Sequence, residues 1–220
     1  MNLKGVAVVC CLVFAFVLCA QPCFGQSQVK EMLHRRLEPL ETQADSMHLI
    51  LSKISADYDV PLGFEAATQG EEPILSVMIQ GRLLQDVLDD IVKKDPRYEW
   101  QIVDGVVNVR PKSQRDGLLA SILETRVKVF EIPRETRLFQ VRPEILKMPE
   151  VRALLEQSNV SVETDIKLGG EFVKFGKDFS LSRSNVTVRE ILNQIIRTSD
   201  IKYWVVNRYG KNKEFLVVNF

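Results

Sequence analysis

The apolar positions of this chain change pattern along its length. Val6 to Ala20 is one apolar run, VAVVCCLVFAFVLCA. From Ser27 to Asp45 the chain turns polar and charge-rich, yet Val29, Met32, Leu33 and Leu37 keep helical spacing up to Pro39. A second helix is expected from about Ser46 to Asp57, with Leu49, Ile50, Ile54 and Tyr58 on one face and Pro61 as its stop. A short extended piece, Leu62 to Ala66, follows. Val77 and Ile79 alternate as a strand, and Gly81 turns the chain. Leu84, Val87, Leu88 and Ile91 form an i, i+3, i+4, i+7 stripe that ends at Asp95-Pro96. Tyr98, Trp100 and Ile102 alternate again. Asp104-Gly105 is a two-residue hairpin signal, and Val107 and Val109 make the return strand to Pro111.

The pattern then recurs. Phe179 and Leu181 read as a strand and Asn185 as the turn. Val188, Ile191, Leu192 and Ile195 form the stripe, Trp204 and Val206 the next strand, and Phe215 to Phe220 the return after a polar turn at Asn207 to Lys213. Gly81 aligns with Asn185, Leu84 with Val188, Leu88 with Leu192 and Trp100 with Trp204, each 104 positions apart without a gap. Gly and Asn are the residues that best tolerate a left-handed backbone, so the exchange keeps the turn. Only the second helix has a capping box, Thr187-Val-Arg-Glu190. An internal duplication accounts for the match. Each copy has a prelude. In the second it is a helix at Pro149 to Ser158 followed by a strand at Val160 to Ile166, and before it lies a strand at Val127 to Ile132 stopped by Pro133. The expected class is α+β: two tandem small βαβ-type modules after a cleaved signal peptide and a helical leader. The boundaries are 1–25 signal peptide, 26–46 helical or partly ordered leader, 47–112 first module, 113–126 linker and 127–220 second module.

The apolar run decides the compartment. With Lys4 before it and a turn-prone Gln21-Pro-Cys-Phe-Gly25-Gln26 after it, it reads as a secretory signal cut after Gly25, between Gly25 and Gln26. At 15 residues it falls short of the roughly 20 that a spanning helix needs, which sets retention as an anchor second. Cleavage leaves 195 of the 220 residues and removes all four cysteines, Cys10, Cys11, Cys19 and Cys23. The mature chain then has no disulfide, thiolate nucleophile or cysteine metal ligand. It carries 28 basic and 29 acidic side chains, so charge offers no argument for nucleic acid or an anionic membrane. A periplasmic location, without stable membrane insertion after cleavage, is expected.

The module resembles the short N-terminal domain of secretins and TonB-dependent receptors. The resemblance rests on Leu84, Val87, Leu88 and Ile91, an L-x-x-V-L-x-x-I helix, leading to the aromatic strand of Tyr98 and Trp100. Val188, Ile191, Leu192, Ile195 and Trp204 repeat it, and Phe130-Glu-Ile-Pro133 is similar to the family's opening strand. It covers Met47 to Pro111 well and Val127 to Phe220 loosely. It implies a bacterial envelope protein whose small domains dock onto partner proteins. The large channel or barrel that follows this domain in the family has no counterpart here, so pore or receptor activity is not carried over.

Candidate chemistry is sparse. His34 and His48 are the only histidines, and no HExxH or nucleophile-elbow motif accompanies them. Asp86, Asp89 and Asp90 could hold a hard cation, but the second copy replaces them with Glu190, Asn193 and Gln194, which favours a solvated helix face. Gly169-Gly170 and Gly176 flank Phe172 and Phe175 without a phosphate-loop motif. These two aromatics are the speculative partner contacts. Trp100 and Trp204 could stack a ligand, though core packing suits their neighbours better. Catalytic residues, metal ligands and cofactors are all expected to be none. The function expected is a non-catalytic periplasmic adaptor that docks onto an envelope or outer-membrane protein. A small-ligand or glycan-binding protein is the alternative, and a carboxylate-based hydrolase the third reading.

Overall fold

A computed structural model describes residues 23–38, 44–67, 72–113, 117–134, 136, 138–158, 180–209 and 215–219. The fold is mixed α+β. In chain order the elements are α1 (Cys23–Leu33), β1 (Asp45–Ser46), α2 (Met47–Tyr58), β2 (Leu62–Glu65), β3 (Ile74–Leu75), α3 (Leu84–Lys94), β4 (Tyr98–Val103) and β5 (Val106–Pro111). Then follow α4 (Gly117–Glu124), β6 (Arg126–Ile132), α5 (Leu138–Lys147), α6 (Pro149–Gln157), β7 (Leu181–Thr187), α7 (Val188–Thr198), β8 (Tyr203–Tyr209) and β9 (Phe215–Asn219).

One five-stranded sheet organises the molecule, in the order β4-β5-β2-β8-β9. β2 lies at its centre and pairs in parallel with β5 on one side and β8 on the other. The hairpins β4–β5 and β8–β9 are antiparallel. Neighbouring residues point to opposite faces of a strand, so each face can hold its own core. Leu62, Phe64, Val107, Val109 and Val205 pack with α1, α2 and α3. Val106, Trp204 and Val206 pack with α4 to α7 and the β6–β7 ribbon. The central sheet is therefore covered on both faces.

Local chemistry explains the elements. Asp104 and Gly105 have φ of 52° and 74°, the left-handed pair that a tight hairpin between β4 and β5 requires. Asp59 (φ 55°) closes α2 in the same conformation. Tyr98 is buried beside Phe64, and its hydroxyl accepts the Ala67 N–H at 2.7 Å.

Four segments differ from their sequence patterns. Val77 and Ile79 are buried and Met78 is exposed, as alternation predicts, but the strand forms only at Ile74–Leu75, where β1 supplies a backbone partner. Asn185 makes no turn: it sits inside β7 at φ 54°. Residues 117–124, read as linker, form α4, with Leu119 and Leu123 fully buried. α5 arises around Pro143, a residue that argues against a helix interior. The expected strand at Val160 to Ile166 and the signal run up to Ala20 lie outside the described residues.

Candidate functional site

A buried polar network occupies the space between the sheet and α7. Glu65, on β2, is 5 % exposed, as is Arg189, on the first turn of α7. The Arg189 Nη2 donates to Glu65 Oε2 at 2.9 Å, and its Nε donates to Glu124 Oε1 of α4 at 2.7 Å. Nη1 reaches Asn108 Oδ1 of β5 at 3.5 Å. Asn108 Nδ2 in turn donates to the Val106 carbonyl at 3.1 Å and meets Asn193 Oδ1 at 3.4 Å. That same Oδ1 accepts the indole N–H of Trp204 at 3.0 Å. A charge taken from water is tolerated only when paired and hydrogen-bonded, and this guanidinium has three oxygen partners. A crevice of about 60 Å³ opens beside it, lined by Glu65, Glu99, Arg110, Lys112, Glu124 and Arg189. Substrate pockets are typically about 300–1,000 Å³. With Glu65 and Glu124 both engaged by Arg189, the site is built to lock the elements together.

The elements it locks are geometric equivalents. α3 and α7 span eleven residues each, 104 positions apart. Trp100 donates its indole N–H to Asp89 at 2.8 Å, and Trp204 donates to Asn193, again 104 positions on. Gly81 and Asn185, aligned by the same offset, both have left-handed φ (71° and 54°). An arginine donates to the carbonyl of each: Arg36 to Gly81 at 2.7 Å, and Arg126 to Asn185. The equivalence extends to segments expected as leader and linker. At an offset of 90, Val29, Leu33 and Leu37 match Leu119, Leu123 and Val127, all buried. The Leu84 N–H donates to Arg35 O as Val188 N–H donates to Thr125 O. The return strands carry the same tripeptide, Val106-Val-Asn108 and Val217-Val-Asn219, in the same register against the tryptophan strand.

The sequence-derived candidates are placed as follows. Phe172 and Phe175 lie outside the described residues. The Gly25–Gln26 bond falls within α1. Trp204 is fully buried and so offers no surface to a ligand. Trp100 is half-buried against the core. The three aspartates serve separate partners: Asp89 holds Trp100, Asp90 pairs with Arg82 at 3.2 Å, and the Asp86 carbonyl accepts from Arg82. His34 is exposed after α1. His48 Nδ1 lies 3.0 Å from Ser46 Oγ and 3.5 Å from Glu72 Oε2. Burial pushes the Glu72 carboxyl up, but hydrogen bonds from the His48 side chain and backbone outweigh it, and the net shift is downward. A charge-relay triad needs the hydroxyl and the acid on opposite ring nitrogens, whereas here both approach Nδ1. A cleft of about 570 Å³ opens between the end of β6 and α5, among Glu131, Pro133, Arg134, Gln140, Glu144 and Lys147. Its Lys147 is paired with Glu144.

Sequence reasoning missed Glu65, Asn108, Arg189 and Asn193 as a group. The usable signals were the repeated Val-Val-Asn and the Arg189/Asn193 pair at i, i+4 beside an apolar stripe. No family model, no curated protein and no solved structure matches this chain. None of the described helices is long and apolar enough to cross a membrane.

Proposed function

We infer that this chain is an exported, non-catalytic docking protein. It consists of two tandem modules similar to the short N-terminal domain of secretins and TonB-dependent receptors, and it binds an envelope protein partner through its sheet edges. The observation that carries the reading is the union of β2 with β8. A strand of one repeat is the parallel neighbour of a strand of the other, with Leu62, Gly63, Phe64 and Glu65 opposite Tyr203, Trp204, Val205 and Val206. Units of this kind bind by strand addition, in which backbone hydrogen bonds supply the affinity and side-chain pockets the selectivity. The element order α2–β2–β3, left-handed Gly81, α3, β4 is the order that the resemblance implies.

Export is supported by the apolar run and by the repeat itself. The counterpart of Gly117, where α4 begins, is Ser27. Cleavage after Gly25 therefore leaves the whole first repeat, with Val29 and Leu33 still in the core. Two measurements test the reading. N-terminal sequencing of the exported protein is expected to begin at or near Gln26, and an intact Met1 contradicts cleavage. Affinity capture from envelope extracts with the mature chain as bait is expected to recover the same protein repeatedly. Repeated recovery of nothing contradicts the docking role.

A further inference from the structure

Resting on the docking role above, we propose that the outer edge of β4 is the docking site, and that it takes an extended, uncharged segment of a partner protein, running parallel to β4 with a glycine opposite Trp100. The site is the equivalent of one already filled within the molecule. β8 is the counterpart of β4, and its outer edge is occupied by β2. There the Leu62 N–H donates to the Lys202 carbonyl at 2.8 Å and the Ala66 N–H to the Val206 carbonyl at 2.9 Å. Among the described residues, β4 pairs with β5 alone.

The ladder fixes which groups are offered. Val103 faces Val106 across the two-residue turn, so Val103, Gln101 and Glu99 direct their backbone groups toward β5. Alternation then aims those of Trp100 and Ile102 outward. These are the counterparts of Trp204 and Val206, whose edge holds β2. α1 packs across β4 as α4 packs across β8, so helix cover of this kind is compatible with an occupied edge. The strand Tyr-Glu-Trp-Gln-Ile-Val contains no Lys or Pro, the residues that commonly block strand addition at an edge.

The glycine follows from the tryptophan. A Cβ on Gly63 would lie 2.2 Å from Cε2 and Cζ2 of Trp204, so the indole occupies the space that any side chain there would need. Asn193 holds that indole over the neighbouring strand, and Asp89 holds the Trp100 indole by the same bond. A segment entering beside Trp100 meets the same ring. The residues on either side of the glycine point to the other face of the sheet, beside Glu99 and Gln101, as Leu62 and Phe64 point away from the Trp204 face. Apolar residues two positions from the glycine lie beside Tyr98 and Ile102 and continue the core beneath β4. Glu65 is not part of the requirement: its partner Arg189 corresponds to the uncharged Gln85.

The probe is a labelled synthetic peptide with the sequence of Val60–Ala67 carrying Gln at the Glu65 position, titrated against the mature full chain by fluorescence anisotropy. A second peptide carries Val at the Gly63 position. The glycine peptide is expected to bind, and the valine peptide to bind at least about tenfold more weakly. In the protein, Ile102→Pro removes an outward N–H while leaving the β4–β5 bonds, and is expected to abolish binding with the circular dichroism spectrum unchanged. Should that variant fail to fold, Trp100→Ala serves instead: it removes the ring and is expected to let both peptides bind equally. No binding, equal binding of both peptides to the unaltered protein, or binding that Ile102→Pro leaves intact overturns the proposal. So does self-association of the chain that Ile102→Pro abolishes, because the edge then belongs to a second copy. Envelope capture with the Ile102→Pro bait separates the two levels. Recovery of the same partner as the unaltered chain removes this edge and keeps the docking role, whereas no partner with either bait removes the docking role itself.

Discussion

At the scale of single residues, the molecule depends on a few buried polar groups whose partners come from distant parts of the chain. Arg189 is the centre of this set. Replacing it by Met leaves Glu65 buried and unpaired, which is expected to cost about 3–5 kcal/mol. The double change Arg189→Met with Glu65→Leu removes both charges and is expected to restore most of that loss; urea unfolding of the three variants measures it. Asp95 shows a pH-dependent version of the same principle. Its carboxyl is almost fully buried and takes hydrogen bonds from Arg97 at 2.8 and 2.6 Å. The Arg97 side-chain bonds hold it below its ordinary value of 3.8. A carboxyl depressed on folding stabilises above its unfolded value and loses that contribution as pH falls through the folded one. The stability gap between the unaltered protein and Asp95→Asn is therefore expected at pH 6 and should narrow as the pH falls below 3.8 and through the depressed folded value. Stability curves against pH for both proteins check the sign. None of these pairings was legible in the sequence. Alternation announces that Glu65 and Asn108 face away from the first core, toward apparent solvent. Only α7, laid over that face, makes them buried.

At the scale of elements, legibility followed periodicity. The stripes of α3 and α7, the Asp104-Gly105 hairpin and the left-handed tendency at Gly81 and Asn185 were all readable, because each depends on local chemistry. α4 was hidden because Gly-Leu-Leu-Ala-Ser-Ile-Leu-Glu is too short to show a period after the polar Lys112 to Gly117, and α5 because it contains Pro143. The expected strand around Val77 fell short because a strand needs a partner as well as a pattern. The two equivalent helices also differ at their starts. Thr187 accepts the Glu190 N–H and Glu190 returns a bond to the Thr187 N–H, whereas Leu83 makes no side-chain cap. Thr187→Ala is expected to destabilise the protein by about 1 kcal/mol, with Thr187→Ser retaining most of the stability. Thermal unfolding of the two variants makes the comparison, and equal losses would exclude the cap as the cause.

At the scale of the whole molecule, the 104-position match of α3 and β4 with α7 and β8 was legible in outline from the tryptophans, but the way these segments join was not. Nothing in the pattern of Leu62–Glu65 announces that its second edge is taken by Tyr203–Val206, since parallel pairing between strands some 140 positions apart leaves no local mark. That joint unites two cores on one sheet and is the internal precedent for docking by strand addition. It also has a direct readout. The Leu62 and Ala66 amides bond across the joint, while the Val107 amide of β5 bonds to the Pro61 carbonyl just before β2. Native-state hydrogen exchange resolves all three amides. The expected result is that Leu62 and Ala66 exchange as slowly as Val107, opening only with global unfolding. Fast exchange at Leu62 and Ala66 beside a protected Val107 would mean that β2 and β8 part independently, and would contradict the joined sheet on which the proposed docking role rests.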